Sequence, residues 1–245
     1  MLNKNIPLAK IAIILFTINL ISLSASALAA AKSDDADYEF DQDMNEVKIH
    51  DPIENINRKI FKFNNVADKY VLKPAAKSYK AVLPKLMRES VHSFFDNLSD
   101  PITFLNSLLQ GNVDNALRVF GRFLSNSTLG VGGLFRIDTS NLNKEDFGQT
   151  LGHYGVNAGP YLMLPILGPS DLRDGIGLAA DGLSDPLNYT LNTNARLAKN
   201  AIYGIDQRES LLYITDEIEK NSLDPYATYR SLYLQKRADL IKNGQ

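Results

Sequence analysis

The stretch Asp51-Pro52-Ile53-Glu54-Asn55-Ile56-Asn57-Arg58-Lys59-Ile60-Phe61-Lys62-Phe63-Asn64 decides the fold class. An N-cap aspartate offers an acceptor to an orphan amide, and proline fits the first helical position because its missing N–H has no intrahelical partner there. Glu54, three residues after Asp51, can complete a reciprocal capping box. Behind this start Ile53, Ile56, Ile60 and Phe63 fall near helical spacing, while Asn57, Lys59, Lys62 and Asn64 face elsewhere, which predicts an amphipathic helix. Asp100-Pro101, Asp185-Pro186 and Asp224-Pro225 read as further helix starts.

The same test places Ile102, Leu105, Leu108 and Leu109 on one side of a helix stopped by Gly111, and Val113, Ala116, Leu117, Phe120 and Leu124 in a stripe on the next. Further helical patterns cover about residues 77–98 with a break at Pro84, 171–183, 195–221 with a weak point at Gly204, and 225–241. No alternating strand of six or more residues stands out, so the predicted class is all-α, with seven or so helices. Two segments resist that reading. Residues 128–138 carry Gly130, Gly132 and Gly133, which suit tight turns. Residues 148–169 hold five glycines and three prolines; a loop this long in a compact domain is uncommon, and its aromatic and apolar content marks it as functional rather than merely disordered. With 11 Phe and 11 Tyr to place, aromatic stripes are expected in the core by default.

The 245 residues are 44% hydrophobic and 22% charged, a globular composition. Lys and Arg number 26 against 28 Asp and Glu, a net charge of −2 that provides no cationic field for nucleic acid. Cysteine is absent, which removes disulfides, thiol catalysis, Cys-ligated zinc and a thioether lipid anchor. Lys4 and Lys10 precede an acid-free apolar run, Ile11 to Leu23, and the small residues Ala25, Ala27 and Ala29 follow it. Residues 1–29 therefore read as a secretory signal peptide, with an uncleaved anchor as the alternative. Its removal takes two lysines and no acid, leaving 24 basic against 28 acidic residues. Residues 30–47, with Asp34, Asp35, Asp37, Glu39, Asp41 and Asp43, read as an acidic disordered tether to a helical domain at 48–241.

Catalytic motifs find little support. Gly168-Pro169-Ser170 and Gly182-Leu183-Ser184 lack the closing glycine of a serine-hydrolase elbow and a strand before it. His50, His92 and His153 are too dispersed for local metal chelation, and the glycine-rich loops match neither a P-loop nor a dinucleotide fingerprint. No cofactor, metal or catalytic residue is expected. Arg173 and Asp174 fall in a first helical turn whose amides can hold an anion; the local alternative has Ser170 capping and Arg173 paired with neighbouring acids.

Several strings in fixed order, Asp51-Pro52-Ile53-Glu54-Asn55-Ile56-Asn57-Arg58, residues 122–133 (RFLSNSTLGVGG), residues 147–155 (FGQTLGHYG) with Gly159-Pro160-Tyr161, Leu172-Arg173-Asp174 and Asp224-Pro225-Tyr226, resemble the MlaA/VacJ family over about residues 48–240. The resemblance implies a ring-like arrangement of amphipathic helices around a central amphipathic channel, beside a Gly/Pro-rich irregular hairpin. It also implies residence at the periplasmic face of the Gram-negative outer membrane and removal of mislocalised phospholipid from the outer leaflet, without enzymatic activity. Phospholipids, a periplasmic lipid carrier and a trimeric outer-membrane porin are the implied partners. Family members are typically anchored through a cysteine that this chain lacks, so attachment is expected to rest on amphipathic helices, a porin, or a retained signal. On this basis Arg122, Arg136, Asn157 and Arg173 are candidates for headgroup contact and Gly155 and Gly159 for a hinge. Ile53, Ile56, Ile60, Phe61, Phe63, Leu105, Leu108 and Leu109 are candidates for a membrane-facing surface, with ordinary core packing as the rival for each. A periplasmic lipid hydrolase using Ser170 and His153, and a structural envelope protein, are the readings from other classes.

Overall fold

Helix α1 (Glu54–Ala67) runs through a π-helical turn (Asp68–Leu72) directly into α2 (Lys73–Val82), in a computed structural model that describes residues 51–242. The segments read as signal peptide and acidic tether lie outside the described residues. Pro84 ends α2 as expected and opens α3 (Lys85–Leu109); α4 (Val113–Thr128) returns along it. A loop leads to α5 (Phe147–His153), a hairpin of β1 (Tyr161–Leu164) and β2 (Gly168–Asp171), then α6 (Leu172–Ser184), the short α7 (Leu187–Thr190), α8 (Thr193–Ser210), α9 (Leu212–Asn221) and α10 (Pro225–Lys242). The described residues are mostly helical, with one small antiparallel sheet in which Tyr161 faces Asp171 and Leu164 faces Gly168.

Two of the four Asp-Pro pairs start helices as expected: Asp185 accepts from the Leu187 amide at 2.9 Å and Asp224 from that of Ala227 at 3.3 Å. The other two do not. Ile53 occupies the N-cap of α1 without a side-chain cap, while Asp51 accepts from Asn57 Nδ2 at 2.8 Å, Arg230 Nη1 at 2.6 Å and the Tyr226 hydroxyl. A charge-assisted bond is roughly twice as strong as a neutral one, so a reachable arginine outbids a cap worth about 1 kcal/mol. Pro101 lies inside α3, because the buried Asp100 before it pairs with Arg122 of α4 and packing against α4 carries the helix through. Gly204 also stays helical; the break falls at Leu211. In the segment expected to be irregular, Asp146 and Gln149 form a full capping box that starts α5, and its far end is the hairpin. Strands of four residues are too short to show as alternation in sequence.

The interior is unusually polar. Among the described residues eleven apolar side chains are buried against twenty-four polar or charged ones, while Leu, Val, Ile and Phe side chains crowd the surface. The α3–α4 pair shows the inversion most clearly. Its shared face buries Asp100, Thr103, Asn106, Ser107 and Gln110 against Asn115, Arg122 and Asn126. Ser107 Oγ accepts from Asn115 Nδ2 at 2.8 Å, and Gln110 Nε2 reaches Thr150 Oγ1 of α5 at 3.1 Å. The stripe Val113, Leu117, Phe120 and Leu124 faces outward, 43–63% exposed, and only Ala116 of that set is buried. The expectation that aromatic stripes are core by default therefore fails at Phe120. A conventional hydrophobic cluster forms around the hairpin, where Tyr161, Met163, Tyr226 and Tyr233 are joined by Ile60, Phe61 and Leu234.

Candidate functional site

The hairpin is held to α1 by two asparagine side chains that act as a substitute strand edge. Asn57 Nδ2 donates to the Tyr161 carbonyl at 3.0 Å and its Oδ1 accepts from the Met163 amide at 2.9 Å. Asn64 repeats the pattern, donating to Leu164 O at 2.9 Å and accepting from the Ile166 amide at 2.6 Å. The spacing explains why it works: seven helical residues rise about 10.5 Å, and the three strand residues separating the two clamped positions span about 10 Å. Ile166, at the hairpin tip, has φ +67°, a left-handed conformation that a β-branched residue adopts only under constraint.

The tip projects into a cavity of about 190 Å³ between α1 and the π-helical turn, the hairpin, α6, α8, α9 and α10. Leu72, Leu164, Ile166, Leu167, Leu178 and Leu211 give it an apolar wall, and Ser170, Thr215, Lys236 and two ion pairs supply polar groups. In the first pair Arg208 grips Asp68 through Nε at 2.6 Å and Nη2 at 2.9 Å, with Nη1 donating to Thr215 at 3.0 Å. Asp68 begins the π-helical turn, a distortion found often at functional sites. In the second, Arg237 bridges Asp146 and Asp174. A neighbouring depression shares Phe61, Asn65, Glu219 and Tyr229 with the cavity and is flanked by Lys69, Lys73 and Lys77. The cavity is amphipathic, with room for an apolar chain beside charged groups.

The carboxylates of α6 and its cap titrate apart. Burial and the neighbouring Asp174 push Asp171 up to about 6, while Arg237 and Arg173 overcome burial and hold Asp174 below its usual range. Burial pushes Asp181 up to about 7; its oxygens accept from the Phe147 amide and Asn106 Nδ2, both at 3.0 Å.

The residues singled out from sequence fall in several places. Arg122 is buried, bound to Asp100 through Nη2 at 2.6 Å and to the Ser140 carbonyl at 3.1 Å. Arg173 is buried between Asp171, the actual cap of α6 in place of Ser170, and Asp174, so its local pairing holds. Arg136 is exposed and bound to Asp96, and Asn157 is exposed. Gly155 and Gly159 have φ +79° and +75°. Ile56, Phe63, Leu105, Leu108 and Leu109 are exposed, whereas Ile53 is half-buried and Ile60 and Phe61 pack on the tyrosine cluster, with the Phe61 ring 5.7 Å from those of Tyr226 and Tyr229. For Ile60 and Phe61 the membrane-facing expectation gives way to core packing, because α1 turns this face toward the hairpin. Ser170 Oγ donates to a backbone carbonyl and His153 stacks edge-on with Tyr154; among the described residues no hydrogen bond joins serine to histidine. Nor do the described residues contain a His, Cys, Asp and Glu cluster fit for a metal, or a helix long and apolar enough to cross a membrane. Sequence reasoning missed the two clamps and Arg208–Asp68; asparagines seven apart on one helix face were the available signal for the clamps.

Comparison with known proteins agrees with this arrangement. The family model described as MlaA lipoprotein matches residues 49–240. A Rickettsia bellii protein is 41% identical over 194 residues, covering 78% of this chain and 76% of its own. The intermembrane phospholipid transport system lipoprotein MlaA of Escherichia coli is 37% identical over 203 residues, 79% of each chain, and its Haemophilus influenzae counterpart is 34% identical over 205 residues, 80% and 81%. A solved structure described as "Structural basis for maintenance of bacterial outer membrane lipid asymmetry" superposes with a TM-score of 0.68 at 37% identity, covering 78% of this chain and 98% of that one. The chain belongs to the MlaA lipoprotein family.

Proposed function

We propose that this chain is the outer-membrane component of a phospholipid transport system: it takes mislocalised phospholipid from the outer leaflet and passes it to a periplasmic carrier through an annulus of helices, seated beside a trimeric porin. The inverted polarity is the observation that supports this most directly. Apolar side chains face outward along α3, α4 and the following loop, amides and carboxylates fill the interior, and an amphipathic cavity opens beside a clamped hairpin. Exposing two acyl chains, some 30 methylenes at ~0.8 kcal/mol each, costs about 24 kcal/mol, which limits unassisted escape to roughly once per day. A shielded passage removes most of that barrier. No ATP-binding motif is present in the sequence, so direction comes from the lipid gradient or the acceptor.

On this reading the outward stripe also seats the protein. Seven side chains of α3 and α4, from Leu105 to Leu124, are 42–63% exposed. At about 1 kcal/mol for covering the exposed part of each, they supply about 7 kcal/mol, at least the marginal binding of one myristoyl chain. That matters because the 245 residues contain no cysteine to carry a thioether lipid. In this role the buried Arg122 and Arg173, neutralised by carboxylates, brace the annulus, and the exposed Arg136, paired with Asp96, and Asn157 remain accessible to headgroups. The test is outer-leaflet phospholipid in a strain lacking the protein. It is expected to rise, to return to normal with the parent gene, and to stay high with Leu108→Glu plus Leu117→Glu, which places charge on the outward stripe without touching the interior. An unchanged outer leaflet in the null strain refutes the function; full rescue by the double variant refutes the seating surface.

A further inference from the structure

Three cations line the amphipathic cavity, and two are already neutralised. Arg208 is gripped by Asp68, and Arg237 by Asp146 and Asp174. The carboxylate of Glu219, also in the lining, is matched by Lys73 at 3.0 Å. Lys236 is different: it is half-buried on α10 and has no ion-pair or hydrogen-bond partner among the described residues. It shares one face of that helix with Tyr229, Leu232 and Tyr233, all of which line the same space. An ammonium group beside an apolar wall is unfavourable unless an anion meets it, and the carboxylates of the lining, Asp68, Asp174 and Glu219, are held by Arg208, Arg237 and Lys73 instead.

We propose that Lys236 is the phosphate-contacting residue of the cavity, holding the phosphodiester of a glycerophospholipid while Ile166, Leu167 and Leu178 meet the first methylenes of an acyl chain. The assignment rests on the lipid-passage reading and adds to it a contact residue and a headgroup preference. Lysine suits the task. Its compact charge on a flexible stem follows a moving headgroup, whereas the planar fork of arginine fixes one geometry. A single unpaired cation also sets a preference: lipids with net negative headgroups bind more tightly than zwitterionic ones, and amphiphiles without phosphate bind least.

The experiment uses the purified, delipidated full-length chain in detergent and titrates fluorescent phosphatidylglycerol, phosphatidylcholine and diacylglycerol with identical acyl chains. Phosphatidylglycerol is expected to bind about tenfold or more tightly than diacylglycerol, the range of one charge-assisted contact. Lys236→Gln is expected to abolish that difference at an unchanged Tm, Lys236→Arg to keep most of it, and inorganic phosphate alone not to displace lipid. Wild-type protein that binds none of the three lipids overturns the passage reading itself. Wild-type binding with Lys236→Gln unaffected overturns only the role of Lys236. Inorganic phosphate that binds the wild type but not Lys236→Gln, with lipid affinity equal in both, makes this a free-anion site and overturns the lipid assignment.

Discussion

Truncating the two asparagine clamps separates hairpin order from global stability. Asn57 is 1% exposed, so Asn57→Ala leaves the Met163 amide and Tyr161 carbonyl without partners and out of reach of water. An unsatisfied buried backbone group costs about 1–3 kcal/mol, which puts the loss for the two at roughly 2–6 kcal/mol. Asn64 is only half-buried, so solvent can replace its two bonds and global stability falls by about 1 kcal/mol or less. Its removal does release Ile166 from a left-handed conformation that carries about 1–3 kcal/mol of strain. Native-state hydrogen exchange reads both effects. In Asn64→Ala the Ile166 amide is expected to exchange at least tenfold faster while that of Met163 keeps its protection; in Asn57→Ala the Tm falls and Met163 loses protection. Asn57→Asp serves as a shape control: it keeps the acceptor for Met163 but loses the donor to Tyr161 and sets a second carboxylate against Asp51. Unchanged Ile166 exchange in Asn64→Ala, together with an unchanged Tm in Asn57→Ala, refutes the clamp.

Three further outcomes follow from the geometry. A Cβ at Gly177 would collide with the Gly148 amide where α6 crosses α5, so Gly177→Ala is expected to cost about 1–3 kcal/mol by chemical denaturation. Gly155→Pro demands φ near −65° where the chain adopts +79°, so lipid transfer by this variant is expected to fall well below that of the parent; equal transfer excludes a hinge at this position. Folding raises the Asp181 carboxyl from its ordinary value to about 7, so the folded chain keeps a proton that the unfolded chain surrenders above about pH 4. This group's contribution to stability is therefore full at low pH and drains away as pH rises toward 7. The stability difference between wild type and Asp181→Asn should change across that window by at most about 1.4 kcal/mol per pH unit, in favour of wild type on the acid side; a flat difference refutes the raised value.

The helices were legible in the sequence because their stripes are periodic, but their polarity was not. A stripe such as Val113, Leu117, Phe120 and Leu124 has the same period whether it faces a protein core or lipid. The opposite face held the missing information. Asp100, Thr103, Asn106, Ser107 and Gln110 are short or amide-bearing groups able to satisfy one another, where a solvated face would carry Lys and Glu. The local partners of Arg173 were legible because Asp171 and Asp174 are its neighbours in sequence; the partner of Arg122 was not, because Asp100 lies on a different helix. The candidate cavity was invisible for the same reason, since its walls come from elements spread along the chain from α1 to α10. The Asp51 cap failed when a tertiary partner, Arg230, competed for the same oxygen atoms.

A polar interior changes how this molecule responds to temperature. Melting it in water uncovers amides and carboxylates, whereas much of its hydrocarbon is wet before melting begins. Newly wetted hydrocarbon raises heat capacity and newly wetted polar surface lowers it, so the calorimetric increment falls below the usual ~12–15 cal/mol/K per residue. The curve of stability against temperature flattens accordingly, and the protein keeps a similar margin over a wide span of temperature.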